Sequence, residues 1–319
     1  MGLFDDGLKA HTDHDMERAE TIWLQVLDRE PDNHAARYNL GLVYKLTGRE
    51  EETVRTWREV IDRRGDDNRT RLLLASYLRD HNRLTEAEQL YHEVLQADPD
   101  TAHATYYKLS YTYSAGERHD LAEAAARRAL DLKPDDPEAY LALGSALNHL
   151  GRHDEAEATY QAGLERNPEN ARLLIDLGDF YFLRKRYDEA EQIAHRGEKL
   201  DPKEAFFPNN LGELHLERGD LDKAEAPLLR ALKLRPLLDY PHFHLGRLHT
   251  LRGQPDEAIP HILRAIELGG RKPMFYEALS DAYRAAGRHR EADDAWLTHE
   301  QIGYDALDHK RRFLGLPDL

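Results

Sequence analysis

The sequence contains no cysteine, which excludes disulfide bonds, thiolate metal sites and cysteine nucleophiles. It has no run of eighteen apolar residues, so we expect no transmembrane helix and no direct membrane insertion. The amino-terminal segment MGLFDDGLKAHTDHD lacks the long apolar core of a secretory signal, and Asp6 stands where a myristoylation signal needs Ser or Thr. Together with a preference for Arg over Lys, these absences lead us to expect a cytoplasmic, bacterial protein.

Positive charge is scarce relative to negative charge. The chain has 44 Lys and Arg residues against 60 Asp and Glu residues, for a net charge of −16. Binding to nucleic acid depends on Lys and Arg neutralising phosphates, and a field of this sign opposes the approach of a polyanion. We therefore expect a protein or peptide partner and no nucleic acid.

Motifs that carry catalysis are also missing. The sequence has no GxSxG, GxxxxGK[ST] or HExxH segment and no glycine-rich loop after a strand. Neighbouring carboxylates, such as those at 50–52, fall in predicted turns, where exposed charge is expected. The sequence thus predicts no catalytic residues, no metal, no cofactor and no enzymatic activity.

An internal repeat is what the chain does contain. A Leu-Gly pair is followed by a turn glycine, an alanine, an aromatic residue and a closing proline, and the pattern returns every 34 residues. The clearest pairs lie at 143–144, 177–178, 211–212 and 245–246. Apolar residues recur at helical spacing on both sides of each turn. Each unit therefore reads as two helices, with small residues such as Gly144 and Ala156 where they meet.

These residues resemble the tetratricopeptide repeat family over nearly the whole chain. The resemblance implies an all-α fold, a right-handed superhelical solenoid of antiparallel helix pairs with a C-terminal capping helix. About nine repeats fit the sequence, at residues 1–33, 34–67, 68–102, 103–136, 137–170, 171–204, 205–238, 239–272 and 273–306. We expect the array to fill 1–306 and a further helix, beginning near 301, to cap the last repeat, with 307–319 as its end and the tail.

Three departures from the repeat pattern stand out. Gly65 and Gly270 replace the closing proline, Lys185 replaces the turn glycine, and one extra residue lies near Thr101. We expect these to bend or loosen the array locally without breaking it.

Members of this family hold peptides or partner domains in a concave groove lined by the first helix of each pair. The groove positions, counted from the Leu-Gly pair, give the predicted partner-binding residues: Asn39, Lys45, Arg69, Arg79, Tyr107, Lys108, Tyr111, Asp176, Asp179, Phe182, Phe206, Asn209, Asn210, Glu213, Tyr240, Phe243, His244 and Arg247. The early positions are basic and tyrosine-rich, and the later ones are acidic and aromatic. This polarity predicts a partner segment with charges of both signs.

The segment Tyr240–Gly253 contains three histidines, which raises the question of a metal site. His242 and His249 stand where other repeats place packing aromatics, so we interpret them as structural. His244 points about 200° away from His242 on one helix, too far to share a metal, and is interpreted as a groove contact. The histidines of HTDHD, at 11–15, fall in a turn and are expected to be solvated.

Three functions fit these features. The first is a non-enzymatic scaffold or adaptor whose groove holds a partner segment. The second is a regulatory or substrate-recognition subunit of an enzyme on another chain, and the third is a self-assembling scaffold. A carboxylate clamp of the kind found in some family members is disfavoured, because Asn39 and Arg69 match it while Phe4, Leu8 and Leu73 do not.

Overall fold

The computed structural model describes residues 2–313, with side chains described as far as Tyr304. The helices within those residues are α1 (Leu3–Thr12), α2 (Met16–Arg29), α3 (His34–Leu46), α4 (Glu50–Arg64), α5 (Asn68–Asp80), α6 (Leu84–Ala97), α7 (Ala102–Ala115), α8 (His119–Leu132), α9 (Pro137–His149), α10 (His153–Arg166), α11 (Ala171–Leu183), α12 (Tyr187–Leu200), α13 (Phe206–Glu217), α14 (Leu221–Leu234), α15 (Asp239–Leu251), α16 (Pro255–Gly269), α17 (Pro273–Ala285) and α18 (His289–Phe313). A 3-10 turn at Pro99–Thr101 precedes α7. No strand occurs in this part of the chain, which confirms the all-α prediction.

The helices form two compact units that divide between Asn167 and Pro168. Unit 1 contains α1–α10 and unit 2 contains α11–α18. In each unit, odd-numbered helices pack against the even-numbered helix that follows, so each pair is an antiparallel hairpin. Odd-numbered helices also contact one another, α5 with α7 and α7 with α9 in unit 1, and α11, α13, α15 and α17 in succession in unit 2. We call the surface formed by this last series the first-helix surface of unit 2.

Small residues set the distance between the two helices of a pair. A Cβ atom added to Gly144 would lie 2.6 Å from the Tyr160 ring, and one added to Gly246 would lie 2.3 Å from Ile262. Gly178 is different, because its Cβ would meet only Ile193, at 3.4 Å. The Leu-Gly pair predicts that the two helices of a repeat approach closely. The glycine contacts the second helix tightly in most of these repeats, and it has more space in the repeat that contains α11 and α12.

The turn within each pair uses one residue with positive φ. These residues have φ between 57° and 77° and lie 34 or 35 residues apart: His14, Gly48, Asn82, Glu117, Gly151, Lys185, Gly219, Gly253 and Gly287. Lys185 thus adopts the backbone conformation that glycine adopts elsewhere. The extra residue near Thr101 is absorbed by the 3-10 turn, and Gly65 and Gly270, also at positive φ, follow the last residues of α4 and α16.

The carboxyl-terminal helix differs from the prediction. Residues 301–313 continue α18 without interruption, whereas the sequence suggested a separate capping helix there. The physical reason is that no proline or turn sequence separates them, and the single Gly303 weakens a helix by only about 1 kcal/mol. Residues 314–319, part of the predicted tail, lie outside the described residues. None of the described helices has the length and apolar character needed to cross a bilayer.

Candidate partner-binding surface

Four of the predicted residues of unit 1 lie together on α5 and α7. The Lys108 ammonium lies 5.4 Å from the centre of the Tyr107 ring, which meets the Tyr111 ring edge to face at 6.2 Å. Burial and the positive charge of Arg79 lower the pKa of Lys108. The Tyr111 hydroxyl lies 3.4 Å from the carboxylate of Glu138 on α9. These contacts form a half-buried, tyrosine-rich basic patch.

The other predicted residues of unit 1 lie on α3 and at the start of α5. Asn39 donates a hydrogen bond to the Ala35 carbonyl of its own helix at 2.8 Å, and Lys45 is exposed. The Arg69 guanidinium lies 5.6 Å from the centre of the Tyr38 ring, at a cleft of about 170 Å³ between α3 and α5. Arg69 therefore borders a recess.

In unit 2, α11 and α13 bring three predicted carboxylates together. Asp176 and Asp179 lie one turn apart on α11, and Glu213 lies on the adjacent α13. The Asn210 side chain donates to Asp179 at 2.8 Å, and the Arg172 guanidinium donates to Asp176 at 2.8 Å. We call Asp176, Asp179 and Glu213 the acidic site. Phe182 lines the same narrow gap as Asp179 and Glu213.

All three carboxyl groups of the acidic site have raised pKa values. Burial raises the pKa of Asp176, against the opposing effect of Arg172. Burial and the neighbouring charge of Asp176 raise the pKa of Asp179 to about 6, and burial and the charge of Asp179 raise that of Glu213 to about 7. Asp179 nevertheless remains exposed, because α11 and α13 displace part of its hydration without covering it. The site is thus short of compensating positive charge and open to solvent.

Three residues that the sequence placed on an open groove are buried. Asn209, Phe243 and His244 expose 5%, 6% and 1% of their surface. The His244 ring packs between Tyr240, with centroids 6.1 Å apart, and Phe243, at 5.1 Å. Phe243 also packs against Phe275 of α17, with ring centroids 5.0 Å apart. Helical spacing fixes the direction of a side chain and does not include such contacts with other helices.

His244 lies directly behind the acidic site. Its Nε2 atom is 3.7 Å from the Glu213 carboxylate, too far for a hydrogen bond. Burial and the nearby charge of Arg247 lower the pKa of His244 to about 3, so the ring is neutral. Among the described residues, neither ring nitrogen of His244 has a hydrogen-bond partner, and the same is true of Asn209 Oδ1.

A cleft of about 320 Å³ lies between α15 and α17. Its walls are Phe243, Arg247, Thr250, Leu251, Met274, Glu277, Ala278 and Asp281. Leu251 and Met274 expose 58% and 43% of their surface, so the cleft presents apolar area to solvent. Arg247, a predicted residue, bonds to Glu217 at 2.8 Å at the edge of this cleft.

The two remaining predicted aromatics have separate surroundings. Tyr240 is exposed and packs edge to face on Phe275 at 5.9 Å, with the Lys272 ammonium 4.2 Å from its ring centre. Phe206 is exposed at the start of α13, with the Arg235 guanidinium 5.8 Å from its ring centre. Tyr240 therefore joins the Phe243 cluster, and Phe206 forms a contact of its own.

His242 and His249 contact the second helix of their own pair through His261 on α16. The Nδ1 atoms of His242 and His261 are 3.1 Å apart, and the His249 and His261 rings stack at 5.7 Å. Burial lowers the pKa of both His242 and His261. These are the packing contacts that the sequence predicts. Across the described residues, no group of three or more His, Asp or Glu side chains has an arrangement suited to a metal ion.

Family models for the tetratricopeptide repeat match most of the sequence. One matches residues 13–54, 52–102 and 107–165, a second matches 150–207, and a third matches 209–228. The chain belongs to the tetratricopeptide repeat family. No curated protein matches the sequence.

Solved structures support the same fold. A tetratricopeptide repeat protein from Parabacteroides merdae superposes with a TM-score of 0.61 and 16% identity, covering 88% of this chain and 97% of its own. PilF of Pseudomonas aeruginosa gives a TM-score of 0.54 and 21% identity over 64% of this chain and 92% of its own. PilW, a type IV pilus biogenesis factor, gives 0.53 and 21% over 61% and 91%. At these identities the similarity establishes the fold alone, which is consistent with a protein-interaction scaffold.

The tetratricopeptide repeat pattern also contains positions that the sequence prediction passed over. Leu251 lies six residues after the leucine of its Leu-Gly pair, and Met274 lies five before the corresponding Leu279. Both are groove positions by the same count that selected Tyr240 and Phe243. Charge, amide groups and aromatic rings do not mark these two positions, because they carry aliphatic side chains, which commonly line binding clefts.

Proposed function

We propose that this protein is an interaction scaffold, an adaptor that holds an extended segment of a partner protein against the first-helix surface of unit 2. The observation that carries the proposal is the cleft between α15 and α17, where Leu251 and Met274 are exposed beside the buried Phe243 ring. Apolar side chains of a partner would gain free energy by entering such a recess, because they and the cleft walls would leave water together.

The polar groups around the cleft support the same proposal. Glu277 and Asp281 line one wall, and Arg247, held by Glu217, lines the other. A few charged groups around an apolar recess fix the orientation of a bound segment more than they add affinity. The expected cytoplasmic, bacterial setting stays a prediction.

The test is a selection of peptides from a random dodecapeptide display library against the full chain. The chain is compared with a variant that carries Leu251→Glu and Met274→Glu, which places charge in the cleft without removing a buried side chain. We expect the selected peptides to bind this variant at least tenfold more weakly, since a carboxylate would have to be desolvated beside an apolar side chain.

The matched control carries Leu229→Glu and Leu263→Glu, which alter two exposed leucines on the second helices α14 and α16. Equal binding to wild type and this control, with loss in the cleft variant, supports the proposal. Loss in the control but not in the cleft variant contradicts it. A third variant, Arg69→Glu with Lys108→Glu, tests unit 1, and loss confined to that variant would also contradict it.

A further inference from the structure

We propose that the acidic site, Asp176, Asp179 and Glu213, binds a positively charged side chain, arginine or lysine, of the partner protein. This inference rests on the proposed function in that the cation belongs to a bound protein segment. The partner segment must then carry an arginine or a lysine, and that residue binds at the acidic site.

Acceptors from three neighbouring helices, α11, α13 and α15, line the same part of the first-helix surface of unit 2. Asp176 and Asp179 are three residues apart and therefore share a face of α11. Asn209 and Glu213 are four residues apart and share a face of α13 in the same way. His244 on α15 lies against Glu213, with 3.7 Å between Nε2 and the carboxylate. Every one of these groups can accept a hydrogen bond.

Two buried acceptors, His244 beside Glu213 and Asn209 on the same face of α13, are an independent sign of a ligand. His244 is 99% buried and Asn209 is 95% buried, and within the described residues His244 Nε2, His244 Nδ1 and Asn209 Oδ1 have no hydrogen-bond partner. A buried polar atom without a partner lowers the stability of the fold, so native proteins seldom keep several together without a role. A ligand with several N–H donors would satisfy Asn209 Oδ1 and the one ring nitrogen of neutral His244 that carries no proton.

The cations already present bind at the edges of the site. Arg172 donates to Asp176 from a side chain that is 64% exposed, and Arg247 pairs with Glu217, one turn beyond Glu213. In contrast, Asp179 accepts from the neutral amide of Asn210, and Glu213 lies against the neutral ring of His244. The centre of the site therefore has acceptors in excess of positive charge.

A long cationic side chain suits this arrangement better than a metal ion. Across the described residues no three potential ligands converge as a metal requires. The acceptors are instead distributed over α11, α13 and α15, and a guanidinium with its five N–H donors, or an ammonium with three, can satisfy separated acceptors at once.

Protonation of the carboxyl groups of Asp179 and Glu213 makes the affinity of the acidic site for a cation depend on pH. Asp179 faces Asp176, Arg172 and Asn210, and Glu213 faces Asp179, Glu217, Arg247 and His244. A cation binds the ionised carboxylates, so binding must strengthen as pH rises. With a pKa of about 7 at Glu213, the ionised fraction falls about thirtyfold between pH 8 and pH 5.5, and affinity should fall accordingly.

The experiment titrates the full chain with the peptide acetyl-Gly-Ser-Arg-Ser-Gly-amide and with its neutral counterpart containing citrulline. Binding is followed through the side-chain carboxyl carbon signals in NMR spectra at pH 8 and pH 5.5. We expect the arginine peptide to shift the signals of Asp179 and Glu213 at pH 8, and the citrulline peptide to leave them unchanged. Affinity should be at least tenfold lower at pH 5.5.

A double variant, Asp179→Asn with Glu213→Gln, should lower the affinity for the arginine peptide at least tenfold. Glu267→Gln on α16, which removes one negative charge from a residue paired with Arg264, should leave it unchanged. Because the neutral residues relieve repulsion, the double variant is expected to fold, and unchanged backbone amide shifts away from α11 and α13 verify this.

Each outcome separates the inference from the proposed function. Equal shifts with the citrulline peptide, or equal affinity in the double variant, overturn the cation site even if selected peptides still need the cleft. Shifts caused by Ca²⁺ but not by the arginine peptide overturn it in favour of a metal. Arginine-dependent shifts without any selected peptide leave the cation site standing and remove the adaptor proposal.

Discussion

At the scale of single residues, the acidic site shows a conflict between stability and binding. Glu213 is half-buried and faces the charge of Asp179, so its ionised form is disfavoured in the folded chain. Asn209 and His244 add buried acceptors that the described residues leave without hydrogen bonds. Groups that cost stability in the free protein and are suited to a cation are typical of binding sites.

We predict that Glu213→Gln stabilises the protein at pH 8. The pKa of Glu213 rises from 4.5 to about 7 on folding, so between these pH values the folded chain holds a proton that the unfolded chain has released. The free energy of unfolding therefore falls as pH rises through this interval. The glutamine variant does not lose this stability, because glutamine has no carboxyl group to ionise. Allowing for partial solvent screening, we expect a gain of about 1–2 kcal/mol at pH 8, measured by urea unfolding.

The same variant should have no advantage at pH 4, where Glu213 is protonated in both the folded and the unfolded chain. Glu267→Gln, at an exposed position, should change stability little at either pH. A variant with equal gains at pH 8 and pH 4 would show that packing, not charge, is responsible.

At the scale of the helix pair, the two helices approach closely because the first helix has a glycine, which lacks a Cβ, at the point of contact. In α9, a Cβ at Gly144 would approach the Tyr160 ring to 2.6 Å, and that ring is itself buried. In α11, a Cβ at Gly178 would meet only Ile193, at 3.4 Å. The same position in the repeat pattern thus has room for a methyl group in α11 but not in α9.

We predict that Gly144→Ala destabilises the protein by about 1–2 kcal/mol, because overpacking exceeds the roughly 1 kcal/mol gained in helix propensity. Gly178→Ala should be neutral or stabilising by up to about 1 kcal/mol, because the propensity gain meets little steric resistance. Thermal unfolding of the two variants, monitored by circular dichroism, gives the comparison. Equal destabilisation by both would show that the difference in space around the two glycines does not control the packing.

At the scale of the whole molecule, each unit has its own set of neighbouring helix contacts. Unit 1 ends at Asn167 and unit 2 begins at Pro168. In repeat proteins, stability is approximately a sum of repeat stabilities and nearest-neighbour interactions, so a local change need not spread through the chain.

We predict that Gly144→Ala accelerates amide hydrogen exchange in unit 1 more than in unit 2. A loss of about 1–2 kcal/mol corresponds to roughly five- to thirtyfold faster exchange for amides that open with α9 and its neighbours. Exchange measured by mass spectrometry on peptides from each unit tests this. The same acceleration in both units would mean that the chain unfolds as one cooperative block.

The sequence by itself determined the repeat, and hence the helix pairs and their turns. Each pair must bury one face of each helix. Apolar residues at helical spacing and small residues therefore recur along the chain with the 34-residue period. The groove positions also follow from this period, and they include the positions of Leu251 and Met274.

Only the tertiary structure decided which of those positions form a site. His244 is buried beside Glu213 of α13, and the raised pKa of Glu213 depends on burial and on Asp179 of α11. Gly178 occupies the same place in the repeat as Gly144, yet only the packed neighbours show that it has room for a side chain. Spacing along the chain fixes the direction of a side chain, whereas burial, charge and free volume arise from residues distant in sequence that folding brings together.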